Sequence, residues 1–315
     1  MLRFVVRRIL FAFLLVFVVS SGSAVLSRLA PGGFASELFG STGAAQTIER
    51  ERARLGLDRS ILAQYGEWLA HAVRFDFGVS QHYGRPVAGL IRERAANTML
   101  LAISALALAT VVGFPLGIVA GSRRGTVSAT IGGASMLGIS LPPLVTSITL
   151  AFVAARTGWF PTSGMSSVDV GAAGAADVAW HLVLPALALG IPIGATIERI
   201  QAQAMAEALA EPCVVAALAR GVSRRRVVWR HALRLAVRPV VAIYGLLVGA
   251  LFSGSFVVEL VTSWPGLGSL MFNALLARDM YLVAGCAATG ALFLAAGSLA
   301  SDLALAAIDP RLRSL

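Results

Sequence analysis

The chain has 315 residues, 57% of them hydrophobic and only 13% charged, with a net charge of +10 and a mean hydropathy of +0.80. So few charges cannot clothe a water-soluble core of this length, which excludes an ordinary soluble enzyme and predicts an all-α, polytopic transmembrane helical bundle. Every one of the 26 basic side chains is arginine, and their placement accounts for the charge without a nucleic-acid partner.

Six apolar spans are expected. The first, 9–26, follows Arg3, Arg7 and Arg8. A cleaved signal peptide is the competing reading, but no cleavage site follows the run, so it is read as a retained helix. Residues 28–94 form the only sizeable segment outside the membrane. Within it, 47–54 is charged and helix-compatible, and 55–58 (LGLD) reads as a turn. Ile61, Tyr65, Trp68, Leu69 and Ala72 then share one face of an amphipathic stretch, suited to a membrane surface or a partner. This segment is too poor in apolar residues to fold alone and is read as a cap on the membrane domain. Arg92 and Arg94 are expected at the outer edge of the second span, 99–120.

The third span, 126–155, contains Pro142 and Pro143. The fourth, 182–197, is short and interrupted by Pro185 and Pro192; the fifth and sixth are 240–260 and 283–300. Prolines free backbone carbonyls, which are tolerated at membrane depth only against protein or a water-filled cavity. Small residues repeat every fourth position at Gly113, Gly117 and Gly121, at Gly190 and Gly194, and at Gly245, Gly249 and Ser253. Such stripes let helices approach closely, in a static bundle or a moving one. The expected organisation is thus 1–98 for the first helix and outer loop, 99–308 for the membrane core, and 309–315 for a cytoplasmic tail.

The most informative stretch is 207–239, inside a connector at 201–239. It carries Arg220, Arg224, Arg225, Arg226, Arg230, Arg234 and Arg238. An arginine at mid-bilayer costs about 2.5–3.5 kcal/mol on insertion scales, so this stretch belongs in water. Its pattern is helix, glycine break, helix: Pro212 suits a first helical position, Gly221 a C-terminal cap and Ser223 a second N-cap. A structured helix pair beneath a membrane domain is a docking surface for a cytosolic partner. With the N-terminus inside, the inner segments hold 15 arginines against five acids and the outer segments 11 against 11. The positive-inside rule then puts both termini and the connector in the cytoplasm.

Absences narrow the reading. Without lysine the G-x-x-x-x-G-K-[ST] phosphate loop cannot exist, so any ATP would be hydrolysed by another chain. No H-E-x-x-H and no credible G-x-S-x-G is present, so no catalytic residues are assigned. Cys213 and Cys286 fall in segments that cannot meet, and His71, His82, His181 and His231 are scattered. Neither a disulfide, a metal site nor a cofactor is expected. Span centres nearly free of ionisable residues count against a proton- or sodium-coupled carrier.

Ala216-Ala217, Gly221 and the arginine run through Arg230-His231 to Pro239 resemble the cytoplasmic EAA loop of ABC-importer permeases. More narrowly, they are similar to the dipeptide, oligopeptide and nickel importer subfamily. The likeness covers the whole chain. It takes in Met1-Leu2-Arg3-Phe4, Leu55-Gly56-Leu57-Asp58 with Gln64-Tyr65, and Asp76-Phe77-Gly78. It continues through Arg85-Pro86-Val87, Trp159-Phe160-Pro161 with Gly164, Leu184-Pro185 and Glu259. Trp264-Pro265-Gly266-Leu267-Gly268, Arg278-Asp279 and Asp309-Pro310-Arg311 complete it.

The resemblance implies a type I ABC importer-like fold in a bacterial plasma membrane. It implies a pathway for a small solute, di- or oligopeptides by default, with nickel, glutathione and oligosaccharides left open. The implied partners are membrane lipid, a second permease subunit (paralogous or identical), two cytosolic ATP-binding subunits and an extracytoplasmic solute-binding protein. Glu211, Ala216, Ala217, Gly221, Arg224, Arg225, Arg230 and His231 would couple the chain to the ATPase. Four positions depart from the family pattern: Val215 replaces its acid, Leu218 a basic residue and Leu235 an asparagine, while P-G-D-P becomes Pro31-Gly32-Gly33-Phe34. The alternatives are an ATP-independent carrier or channel, and a membrane scaffold whose basic helices recruit a cytosolic protein or anionic lipid. Reporter fusions at Ser41 and Met165 should read as outside and those at Ser223 and Ser314 as inside; a cytoplasmic signal at Ser41 would overturn the six-span map.

Overall fold

The computed structural model describes residues 2–29, 66, 69–71, 76–167 and 174–308. Within them run α1 (Leu2–Leu29), α2 (Val87–Ser122), α3 (Thr126–Ser140), α4 (Pro143–Thr157) and α5 (Ala175–Ala210). They are followed by α6 (Pro212–Ala219), α7 (Arg224–Val261), α8 (Leu267–Leu276) and α9 (Met280–Ile308). Of the expected outer-loop features, 47–54 and 55–58 lie outside the described residues, as does most of 61–73; residues 66 and 69–71 are helical.

Among the described residues α2, α5, α7 and α9 are each long and apolar enough to cross a membrane, and α1 holds a shorter apolar stretch, Leu10–Ser23. The expected third span is not one straight helix. Each of α3 and α4 is too short to cross alone, and together they form a pair bent by 102° at residues 141–142. Pro143 occupies the first position of α4, and Pro142 before it is extended, with φ −61° and ψ 147°. Two consecutive prolines remove two donors and force extended backbone ahead of each ring, so the helix must stop there. The expected fourth span differs in the other direction. Pro185 and Pro192 lie inside one unbroken 36-residue helix, α5. Here Thr196 Oγ1 donates to the Pro192 carbonyl at 2.9 Å. α2 itself begins at Val87, so Arg92 and Arg94, expected at the outer edge of the second span, fall in the second turn of the helix.

The chain divides into two compact units. The first comprises Met1–Phe4, Met99–Trp264 and Ala296–Leu315. Its core gathers Leu101, Ala105 and Ala109 of α2, Leu189, Ile193 and Ile197 of α5, and Leu247, Leu251 and Val258 of α7 around buried Trp264. The glycine stripe of α2 lies directly against α5. A Cβ at Gly113 would collide with the Gly194 carbonyl, one at Gly121 with the Ala202 carbonyl, and one at Gly117 would stand 2.6 Å from both the Glu198 carbonyl and Gln201 Cβ. With lipid as apolar as the side chains, such backbone contact is what holds membrane helices together. Two polar ties join other helices of this unit to α7: Thr110 Oγ1 of α2 and the Tyr244 hydroxyl share a hydrogen bond of 2.7 Å, and Ser301 Oγ donates to the Val241 carbonyl at 2.9 Å.

The second unit comprises Val5–Thr98 and Pro265–Ala295. Its anchor is Asp279, fully buried just before α9. The carboxylate accepts from Ser80 Oγ at 2.6 Å, from the His82 backbone N–H at 3.0 Å and from the Leu282 N–H at 3.2 Å. It therefore caps α9 and holds the 80–82 turn at once. Asn97 Nδ2 donates to the Pro265 carbonyl, and the Leu267 N–H to Thr98 Oγ1, which fixes the entry to α8. At the exposed Asp76, the Gly78 N–H and then the His71 ring hold the carboxyl below its ordinary range.

Gly113→Ala should destabilise the protein by about 1–3 kcal/mol, because the α2–α5 backbones cannot part without losing the stripe. Gly133→Ala on α3, where an added Cβ meets nothing within 4 Å, should be neutral or stabilising by about 0.4–1 kcal/mol. Thermal unfolding in detergent compares the two.

Candidate functional site

At 36 residues α5 is roughly 54 Å long, well over the about 30 Å of hydrocarbon that a membrane helix has to cross. It stops at Glu211, whose ψ of 135° breaks the helical path, and Pro212 then opens the eight-residue α6 at its first position. Proline fits there because that N–H would have no intrahelical acceptor.

α6 has two faces. Val214 and Ala217 turn inward onto Met205 and Ala208 of α5, Ile118 of α2, and Val227, Val228 and Ala232 of α7. Val215 (49% exposed) and Leu218 (41% exposed) turn outward with Ala216. The helix ends in a two-bond cap: Gly221 N–H donates to the Leu218 carbonyl at 2.9 Å and Val222 N–H to the Ala217 carbonyl at 3.2 Å. That is the Schellman arrangement, and it needs the left-handed backbone that Gly221 supplies at φ +83°. Ser223 follows at the N-cap position of the helix that opens α7, as expected, with φ −57° and ψ 139°, although its hydroxyl makes no capping bond.

The second helix of the pair is not a separate short helix. α7 runs from Arg224 through a wider π turn, Val227–Ala232, and on without a break to Val261. The π turn aims Val227, Val228 and Ala232 inward while leaving Trp229, Arg230 and His231 exposed. Arg224 Nη2 donates to the Ser122 carbonyl at 3.0 Å, meeting the last turn of α2 where a cation suits the helix dipole. Charge is graded along the loop: exposed Glu207 and Glu211 flank the start of α6, and exposed Arg220, Arg225, Arg226 and Arg230 gather beyond its end.

Seven of the eight expected coupling residues thus lie exposed on one loop: Glu211, Ala216, Gly221, Arg224, Arg225, Arg230 and His231. Ala217 is the exception. It is 2% exposed and packs inward, since its place in the turn opposes Val215 and Leu218. Val215 and Leu218 were visible in the sequence only as departures from the family pattern. Their i, i+3 spacing on a helix opened by Pro212 was the signal that marks them as a shared outer face. Cys213 is exposed on α6 and Cys286 buried, both as free thiols. Among the described residues no group of three or more His, Cys, Asp or Glu is placed to hold a metal ion.

A bundle of long apolar helices that carries a small, rigid, cation-rimmed helix between two of them is built as a membrane permease. The family described as "binding-protein-dependent transport system inner membrane component" matches residues 113–314, and the family for the N-terminal part of that membrane component matches residues 1–102. The chain belongs to this family and is a multi-pass permease subunit of an ABC importer. It is 34% identical over 318 residues to a peptide permease protein of Brucella suis biovar 1 (strain 1330), covering 99% of both chains. It is equally similar, at 34% with 99% of both chains covered, to a peptide permease protein of Brucella ovis and to the glutathione transport system permease protein of Escherichia coli (strain K12).

Gly221→Val should loosen the α6 cap by about 1–2 kcal/mol, and Gly221→Asn by less, because asparagine visits left-handed backbone more readily. Amide exchange should speed up at 216–222 in the valine variant while the spans keep their protection.

Proposed function

We propose that α6 is the coupling helix of this permease, seated in a groove of a cytosolic ATP-binding subunit. The observation that carries this is the apolar Val215–Leu218 face, solvent-exposed on a helix whose opposite face, both ends and Arg224 are all fixed to the bundle. An exposed apolar ridge rimmed by arginines suits a complementary groove with an acidic margin. Glu211, Ala216, Gly221, Arg224, Arg225, Arg230 and His231 supply the rim and the turn. Ala217 acts from inside, transmitting displacement of α6 to α5 and α7.

In this reading two ATP-binding subunits hydrolyse ATP, a second permease subunit, paralogous or identical, completes the pathway, and an extracytoplasmic binding protein delivers the solute. The solute is a di- or oligopeptide, a reading supported by the names of the relatives: two are peptide permeases, and glutathione is itself a short peptide. The bent α3–α4 pair counts as one crossing, from Arg123-Arg124 inside to Arg156 and the exposed Trp159 outside. Both termini and the α5–α7 loop then face the cytoplasm, in keeping with the arginine distribution.

The test is co-expression with the ATP-binding subunits. The wild-type chain alone should hydrolyse no ATP and should co-purify with those subunits. The Val215→Asp, Leu218→Asp double variant should reach the membrane normally yet lose both co-purification and ATP-driven peptide uptake, each by about tenfold or more. Full coupling in that variant would remove α6 from the interface.

A further inference from the structure

A cavity of about 420 Å³ lies among α2, α3 and α5, inside the first unit and within the usual size of small-molecule sites. Its walls are mostly hydrocarbon and glycine backbone, including Leu108, Ile131 and Leu187. Three polar side chains share them: Thr130, Ser135 and Glu198. Glu198 is 2% exposed, and its Oε1 has no hydrogen-bond partner. One turn further along α5, Gln201 is fully buried with neither amide atom paired. Buried polar atoms are satisfied in nearly all folded proteins, so two such side chains in succession call for an explanation. A carboxylate held away from water is strongly disfavoured unless a cation meets it.

The apolar walls alone would accept any hydrocarbon. The carboxylate sets the chemistry at one place in them. We infer that this cavity is a subsite for a protonated primary amine carried on an apolar body, the group presented by the first residue of a hydrophobic peptide. The ammonium meets Glu198, and the apolar body fills the space along α2 and α3. The inference rests on the permease reading, which brings solute to the bundle, but does not require that the physiological solute be a peptide.

The permease, purified with its ATP-binding subunits in phosphatidylglycerol nanodiscs free of amine lipid, would be titrated with L-leucinamide and with neutral N-acetyl-L-leucinamide. The wild type should bind leucinamide and not the acetylated form. Glu198→Gln should weaken leucinamide binding by about tenfold or more, as expected for loss of a charge-assisted bond. Ala134→Leu, which narrows the cavity from α3 without touching the carboxylate, should weaken it several-fold with the melting temperature unchanged. If Glu198→Gln fails to fold, the two probes on wild type and Ala134→Leu still decide the matter. Absence of leucinamide binding in the wild type, equal binding of the acetylated form, or equal affinity in Glu198→Gln would overturn the inference. Displacement of leucinamide by phosphatidylethanolamine added to the nanodiscs would give the site to lipid and overturn it as well. Failure of the peptide reading would look different: no ATP-driven peptide uptake, with leucinamide binding intact.

Discussion

α2 and α5 meet backbone to backbone. Gly113, Gly117 and Gly121 leave no room for a side chain against Gly194, Glu198, Gln201 and Ala202. In a bilayer the hydrophobic effect does not drive helices together, so close backbone approach must supply the packing energy that a soluble core draws from water. Much of the first unit follows from it. The contact fixes how α5 lies against α2 and therefore where α6, which follows α5, sits. It also places the end of α2 within reach of Arg224 and leaves α3 to close a cavity over the remaining surface.

The sequence made the general build legible through quantities that depend on solvent alone. Arginines cannot rest in lipid, so 207–239 had to lie in water. Pro212 and Gly221 each suit one backbone position so strongly that the ends of α6 could be read before any packing was known. The direction in which a helix turns its residues was harder. Ala217 belongs to the motif, but the motif does not say whether it faces the partner or the protein's own core. Only the position of Met205, Val227 and Ala232 decides that. Glu198 counted in the sequence only as one of the five acids of the inner segments; its isolation depends on which face of α5 lies against α2 and the cavity, a tertiary matter.

The prolines make the same point from two sides. Pro142 and Pro143 stand in tandem and end a helix, whereas Pro185 and Pro192, seven residues apart, leave α5 unbroken. A lone proline removes one donor and bends the path slightly, and neighbouring groups in the protein can make good the loss of a single bond. Two in succession leave no such repair. Counting breakers in a span is therefore less informative than noting whether they are adjacent.

The Arg224 bond to the Ser122 carbonyl gives the α6 loop a third foothold. α6 is already continuous with α5 through Glu211 and joined to α7 through the tight 220–223 turn. In the proposed coupling, a push on α6 would enter the helices through α5, α7 and α2 together, and would arrive as a tilt of the group rather than as the bending of a single rod. The π turn at Val227–Ala232 and Pro239 beyond it are where the hydrogen-bond ladder of α7 is already loosened, and there such a tilt would meet the least resistance from the helix.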